Sequence, residues 1–133
     1  MTKQLSVGDK ASISKTFTAP EIDQFARLSL DANPIHLDEA AAAAAGFDRR
    51  VVHGALVSSL FSALLGTELP GEGTVYLSQT SKFKAPVFLD EEITATVEVI
   101  EVRASRGIAR LRTSAVNGAG KTLIDGEAVV KYA

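Results

Sequence analysis

The chain of 133 residues contains no cysteine, two histidines, four prolines and no strong excess of charge of either sign. Each scarcity removes a class of function. Without cysteine there are no disulfides, no thiol nucleophile and no thiolate metal site. Two histidines and no cysteine also fall short of a structural zinc set, so no metal or cofactor is expected. A formal net charge of −2 is the wrong balance for a general nucleic-acid binder. Residues 1–8 are polar and hold no apolar core of a signal peptide. The longest apolar run, 51–65, is shorter than a membrane span and carries three serines and a histidine. Neither internal repeats nor a disordered linker interrupt the chain. Hydrophobic residues make up 46% and charged residues 23%, so one domain over 1–133 with a sizeable core is expected, in a cytoplasmic enzyme or binding protein.

The stretch Asp31-Ala32-Asn33-Pro34-Ile35-His36 is where chemistry concentrates. Thr18-Ala19-Pro20-Glu21 reads as a capping box with proline in the first turn, opening a helix whose apolar stripe is Ile22, Phe25, Ala26 and Leu28. Pro34 pushes Asn33 toward extended backbone, so that helix should stop near Leu30. Asp31 then lies at a helix C-terminus, where free carbonyls disfavour a carboxylate. Such local conflicts gather at functional sites. On one straight helix, residues five apart point in different directions. Across a proline turn, Asp31 and His36 can face one cleft, while Asn33 orients the turn through its side chain. His36 is placed just before a short helix, capped by Asp38 and running to Ala45, whose N-terminus disfavours a protonated imidazole.

His53-Gly54 opens a second helix, 54–65, that is apolar on nearly every side and is therefore expected to be buried on every side. His53 reads as structural, at or near the N-cap. Gly54 has two readings: plain close packing of a helix end, or a backbone amide left open to developing negative charge. Ser58 and Ser62 lie four apart on this helix. Their hydroxyls bond back to the carbonyls four residues earlier, or, in a sharper reading, Ser62 lines an apolar pocket with Leu65. After Gly73 the pattern alternates: 75–89, broken near Pro86, then 93–99, 108–116 and 122–132, with a short strand at 11–17. One buried helix followed by long antiparallel strands gives an α+β fold with the sheet wrapped around the helix.

Taken together, Phe25 to His36 with its Asp-x-Asn-Pro-x-His core, His53-Gly54, and Tyr76-Leu-Ser-Gln79 leading to Phe83-Lys-Ala-Pro-Val87 resemble the MaoC-like, or type 2, enoyl-CoA hydratases. The resemblance covers nearly the whole chain and is nearest to the short (R)-specific enoyl-CoA hydratases that feed polyhydroxyalkanoate synthesis. It departs in one place: the family often has glycine before the acid, and here Leu30 stands there. The resemblance implies a hot-dog fold paired as a homodimer and an acyl-CoA thioester as substrate. It also implies hydration of a trans-2-enoyl-CoA to the (R)-3-hydroxyacyl-CoA. Asp31 and His36 would handle the water and the proton, and the Gly54 amide would meet the thioester oxygen. Ser62 and Leu65 would border the acyl pocket, and the bulky helix 54–65 would limit the tail to a few carbons. Lys82, Lys84, Arg103, Arg106, Arg110 and Arg112 either meet the phosphates of coenzyme A or form a solvated face. Two alternatives stay open: a 3-hydroxyacyl dehydratase acting on acyl carrier protein with the same residues, and a non-catalytic subunit that only binds thioesters. A thioesterase fits less well, because its carboxylate usually lies on the central helix and 54–65 has none.

Overall fold

The computed structural model describes residues 4–133. Its elements run β1 (Lys10–Thr16), α1 (Ala19–Ser29), α2 (Pro34–Leu37), α3 (Glu39–Ala44), α4 (Gly54–Thr67), β2 (Val75–Phe83), β3 (Glu92–Arg103), β4 (Ile108–Asn117) and β5 (Thr122–Lys131). All five strands join one antiparallel sheet in the order β1-β3-β4-β5-β2. The sheet curves around α4 in the hot-dog arrangement. Its inner face supplies Ile93, Ala95, Val97, Leu111, Ala115 and Ala128, all fully buried. From α4, Val57, Phe61, Leu64 and Leu65 pack onto them. Strict alternation in β3 sends Thr94, Thr96 and Glu98 to the outer face.

Three details depart from the sequence reading. First, α4 is not buried all round: Ala55, Ser59, Ser62 and Ala63 are exposed. These small residues recur at helical spacing along one side, which the curved sheet leaves uncovered. Second, α4 runs past the expected 54–65. The helix continues to Thr67, whose hydroxyl donates back to the Ala63 carbonyl at 2.6 Å, and it stops before Pro70 and Gly71. Third, regular pairing of β2 ends at Phe83, ahead of Pro86, which has no amide to give a neighbouring strand. The segment that follows turns back over the α4 entrance, where the Val52 amide donates to the Val87 carbonyl at 2.7 Å.

Candidate active site

The capping box forms. The Glu21 carboxylate accepts from the Thr18 amide at 3.0 Å and from its hydroxyl at 3.1 Å. The helix it starts ends at Ser29. Leu30 then turns the chain with φ 68° and ψ 6°. That left-handed backbone suits glycine and is strained for leucine. This is the physical reason a glycine fits before the acid, and here a leucine bears the cost with its side chain 85% exposed.

Asn33 and Pro34 start α2 together. The Asn33 Oδ1 accepts from the Ile35 amide at 3.3 Å, and Pro34 takes the first helical position, where a missing N–H costs nothing. His36 therefore sits inside a one-turn helix, and the expected helix capped by Asp38, α3, follows directly after it. It is buried, and its Nδ1–H donates to the Val51 carbonyl at 2.8 Å. Burial holds its pKa below the ordinary histidine value of 6.5, against the opposing hydrogen bond to the Val51 carbonyl; His53 adds to the lowering, and Asp31 opposes it more weakly. Desolvation favours the neutral ring. Because Nδ1 carries the hydrogen, Nε2 is a bare acceptor. It faces the half-exposed Asp31 carboxylate with Oδ2 3.9 Å away. That gap is too wide for a direct hydrogen bond and leaves both atoms free to accept from one water at about 2.8 Å each.

His53 is fully buried and stacks on His36, ring centroids 3.8 Å apart at 24°. One donor atom each from Asp31, His36 and His53 lie within 4.8 Å of one another. One nitrogen of each ring is already committed to a backbone carbonyl, His36 Nδ1 to Val51 and His53 Nε2 to Asp31. Next in the chain, Gly54 is the first residue of α4, and no described residue accepts from its amide. Gly54 lines a cavity of about 620 Å³ with Phe47, Val52, Phe83, Pro86 and Val87. A β-carbon on Gly54 would lie 2.6 Å from the Phe83 ring. Close packing and an open amide thus coexist at this residue.

Ser62 and Leu65 do not face one space. Ser62 is exposed in a separate groove of about 430 Å³ between α4 and β2, whereas Leu65 is 2% exposed and belongs to the core. Ser58 does not bond back to the preceding turn: its Oγ is buried without a partner, and the residue borders the same groove as Ser62. Of the cations, Arg110 is bound to Glu101 and Glu127, Arg112 to Asp125 and Arg103 to Glu101, all on the outer sheet face. Lys84 alone among the six borders the cavity at Gly54. Two participants were not legible in the chain. Arg50 donates from Nε to the His36 carbonyl at 2.6 Å and pairs with Asp23 at 2.9 Å. Phe83, 60% exposed, walls the cavity over Gly54. Arg50 stood in a loop with no pattern around it, while Phe83 opened one of the stretches that carry the resemblance but had no role attached to it.

Residues 5–118 match the family described as MaoC like domain. The chain belongs to the MaoC-like domain family. This MaoC-like chain is 51% identical to the (R)-specific enoyl-CoA hydratase of Aeromonas caviae over 129 residues, 97% of this chain and 96% of that one. It is 41% identical to the (R)-specific enoyl-CoA hydratase of Rhodospirillum rubrum over 128 residues, 96% of this chain and 88% of that one. Among solved structures, an (R)-hydratase from A. caviae involved in PHA biosynthesis superimposes with a TM-score of 0.95 at 50% identity, covering 98% of this chain and 99% of that chain. R-hydratase from Pseudomonas aeruginosa gives 0.90 at 41% identity, covering 96% and 82%.

Proposed function

We propose that this chain, read as a single hot-dog domain, is an (R)-specific enoyl-CoA hydratase that reversibly converts trans-2-enoyl-CoA to (R)-3-hydroxyacyl-CoA. One observation carries the reading: two acceptors, Asp31 Oδ2 and a neutral His36 Nε2, face each other across 3.9 Å. A water donating a hydrogen to each is held with its lone pairs turned outward, toward C3 of a bound enoyl group. As the oxygen bonds to C3, the pair takes one water proton, and the C2–C3 π electrons move onto the thioester as an enolate. The Gly54 amide donates to that oxygen, an interaction of a kind worth about 3 kcal/mol in the transition state. The enolate then collapses, and C2 takes up the proton the pair had received. Water has been added across the double bond, and the catalytic groups return to their starting state.

The expectation is that Asp31→Asn and His36→Gln each lower kcat by roughly a hundredfold to ten-thousandfold while the protein stays folded. Loss of crotonyl-CoA absorbance measures the rate, and chiral analysis of the product measures the stereochemistry. A folded variant with near-normal turnover would remove its residue from the mechanism. An (S) product would refute the stereochemical reading.

The same proposal includes a homodimer and a cytoplasmic place of action. Among the described residues β2 is a sheet edge with no strand on its outer side, and Val75, Tyr76 and Leu77 on it are exposed beside the groove at Ser62. The other edge, β1, shows water a row of serines bonded to Thr94 and Thr96. An apolar edge invites a second copy. Light scattering that found an active monomer at micromolar concentration would refute this. No helix among the described residues is long and apolar enough to cross a membrane.

A further inference from the structure

Asp31 and His36 stand on opposite sides of the Pro34 turn, so their spacing is not a property of the turn alone. His36 is tied to the body of the protein through its ring on the Val51 carbonyl at 2.8 Å and its own carbonyl on Arg50 Nε at 2.6 Å. The preceding carbonyl, of Ile35, accepts from the Val51 amide at 3.2 Å. Asp31 is held differently. Its amide donates to Ser29 Oγ at 3.1 Å, its Oδ1 accepts from the Asn33 amide at 3.2 Å, and the Ala32 amide reaches the Leu30 carbonyl at 3.1 Å. These bonds stay within five residues and move with them. Among the described residues, one hydrogen bond joins Asp31 to a distant element: its carbonyl accepts from His53 Nε2 at 3.0 Å.

We propose that His53 is a positioning residue for the Asp31–His36 pair, holding the Asp31 peptide by its Nε2–H while its ring face backs His36. Its surroundings support the assignment. The ring is 1% exposed, stacked on His36 and met edge-on by Phe25 at 4.8 Å. A carbonyl partner requires Nε2 to donate, while Nδ1 is buried and without a partner. That is a cost an apolar side chain of similar size would avoid. The obvious structural use, capping α4, is not made: His53 occupies the N-cap but its side chain bonds no amide of the helix. What the imidazole contributes is therefore at Nε2, on Asp31.

The inference rests on the catalytic reading above, and its test keeps the two apart. Glutamine can carry an N–H donor to the place of Nε2. Asparagine reaches only as far as Nδ1, and phenylalanine keeps the ring without a donor. In His53→Phe and His53→Asn, kcat on crotonyl-CoA should fall about tenfold to a hundredfold, with KM within about threefold of wild type, the scale expected when a reacting group drifts by ~1 Å. His53→Gln should stay within about threefold of wild type in both, a rescue that simple core filling does not predict. If His53→Phe does not fold, asparagine against glutamine makes the same comparison. Full turnover in the Phe or Asn variant, or equal losses in Asn and Gln, would overturn the proposal. Asp31→Asn is measured beside them: if it is inactive while His53→Phe and His53→Asn are fully active, only this inference fails. If it is active, the catalytic reading fails and this one with it.

Discussion

Gly54 offers a way to separate the space at the helix entrance from the amide that the mechanism uses. In Gly54→Ala, the new β-carbon would sit 2.6 Å from Phe83 Cε1 and 2.9 Å from Cδ1. The ring must withdraw by about 0.8 Å to reach the 3.4 Å of ordinary contact. Phe83 and Gly54 line the same cavity, so the displaced ring has that cavity to move into. Stability should change little: alanine gains up to ~1 kcal/mol over glycine in a helix, against a ring shift of similar cost. Turnover should fall by about tenfold to a hundredfold, since small misplacements at a reacting centre are costly. Phe83→Ala clears the obstruction, so the double variant should recover most of the loss relative to Phe83→Ala alone. Gly54→Pro in the Phe83→Ala background then removes only the N–H. Proline is welcome at a first helical position, and His53 ahead of it already has φ −55° and ψ 130°, the extended backbone a following proline requires. Here kcat should fall roughly a hundredfold to a thousandfold below the matching Gly54→Ala double variant, the worth of one oxyanion donor. Crotonyl-CoA hydration rates, with circular dichroism for folding, decide it. Equal kcat in the Pro and Ala double variants would refute the oxyanion role. A Gly54→Ala single variant with wild-type turnover would refute the steric argument.

His36 also makes stability depend on pH. Its folded-state pKa lies below the ordinary 6.5, so the unfolded chain binds a proton first as pH drops, and unfolding free energy should decline as pH falls from about 6.5 toward the folded value. Urea titrations of wild type and His36→Gln should differ in slope over that window, and identical slopes would mean that burial does not hold the ring neutral. Protonation would add a hydrogen to the acceptor that faces Asp31, so the acidic limb of kcat/KM is expected below 6.5 as well. Gly126→Ala should destabilise by about 2–4 kcal/mol, because its β-carbon would meet the Thr80 carbonyl oxygen of β2 at 1.9 Å, a backbone atom with no rotamer to escape into; an unchanged urea midpoint would contradict the packing of β2 on β5. Leu65→Ala, at a fully buried core position, should cost about 2–5 kcal/mol. If Leu65 also walls the acyl path, kcat/KM across a chain-length series should shift toward longer tails, by up to ~0.8 kcal/mol for each methylene newly buried. A preference for long chains already in the wild type would refute the wall, and an unchanged profile in the folded variant would take Leu65 out of it.

What the chain determined unaided was local in sequence. The α1 capping box, the stop before Pro34 and the opening of α4 at Gly54 depend on neighbours within four residues, and those signals survive without tertiary context. Period-two alternation likewise told strand from helix, and with it the layering of sheet on α4, because it records which face is buried. Even Asp31 and His36 were readable, since only a proline turn separates them. Contacts between distant segments were not. The His53 ring meets Asp31 across 22 positions of chain, and its stacking on His36 is decided by where α4 enters the sheet. Composition could say that α4 was apolar on every side. Only the curvature of the sheet decided which side stays uncovered, and so which of Ser62 and Leu65 meets solvent and which the core. The lowered pKa of His36 belongs to the tertiary structure as well: the sequence offered only a nearby helix end, while burial of the ring comes from segments distant in the chain.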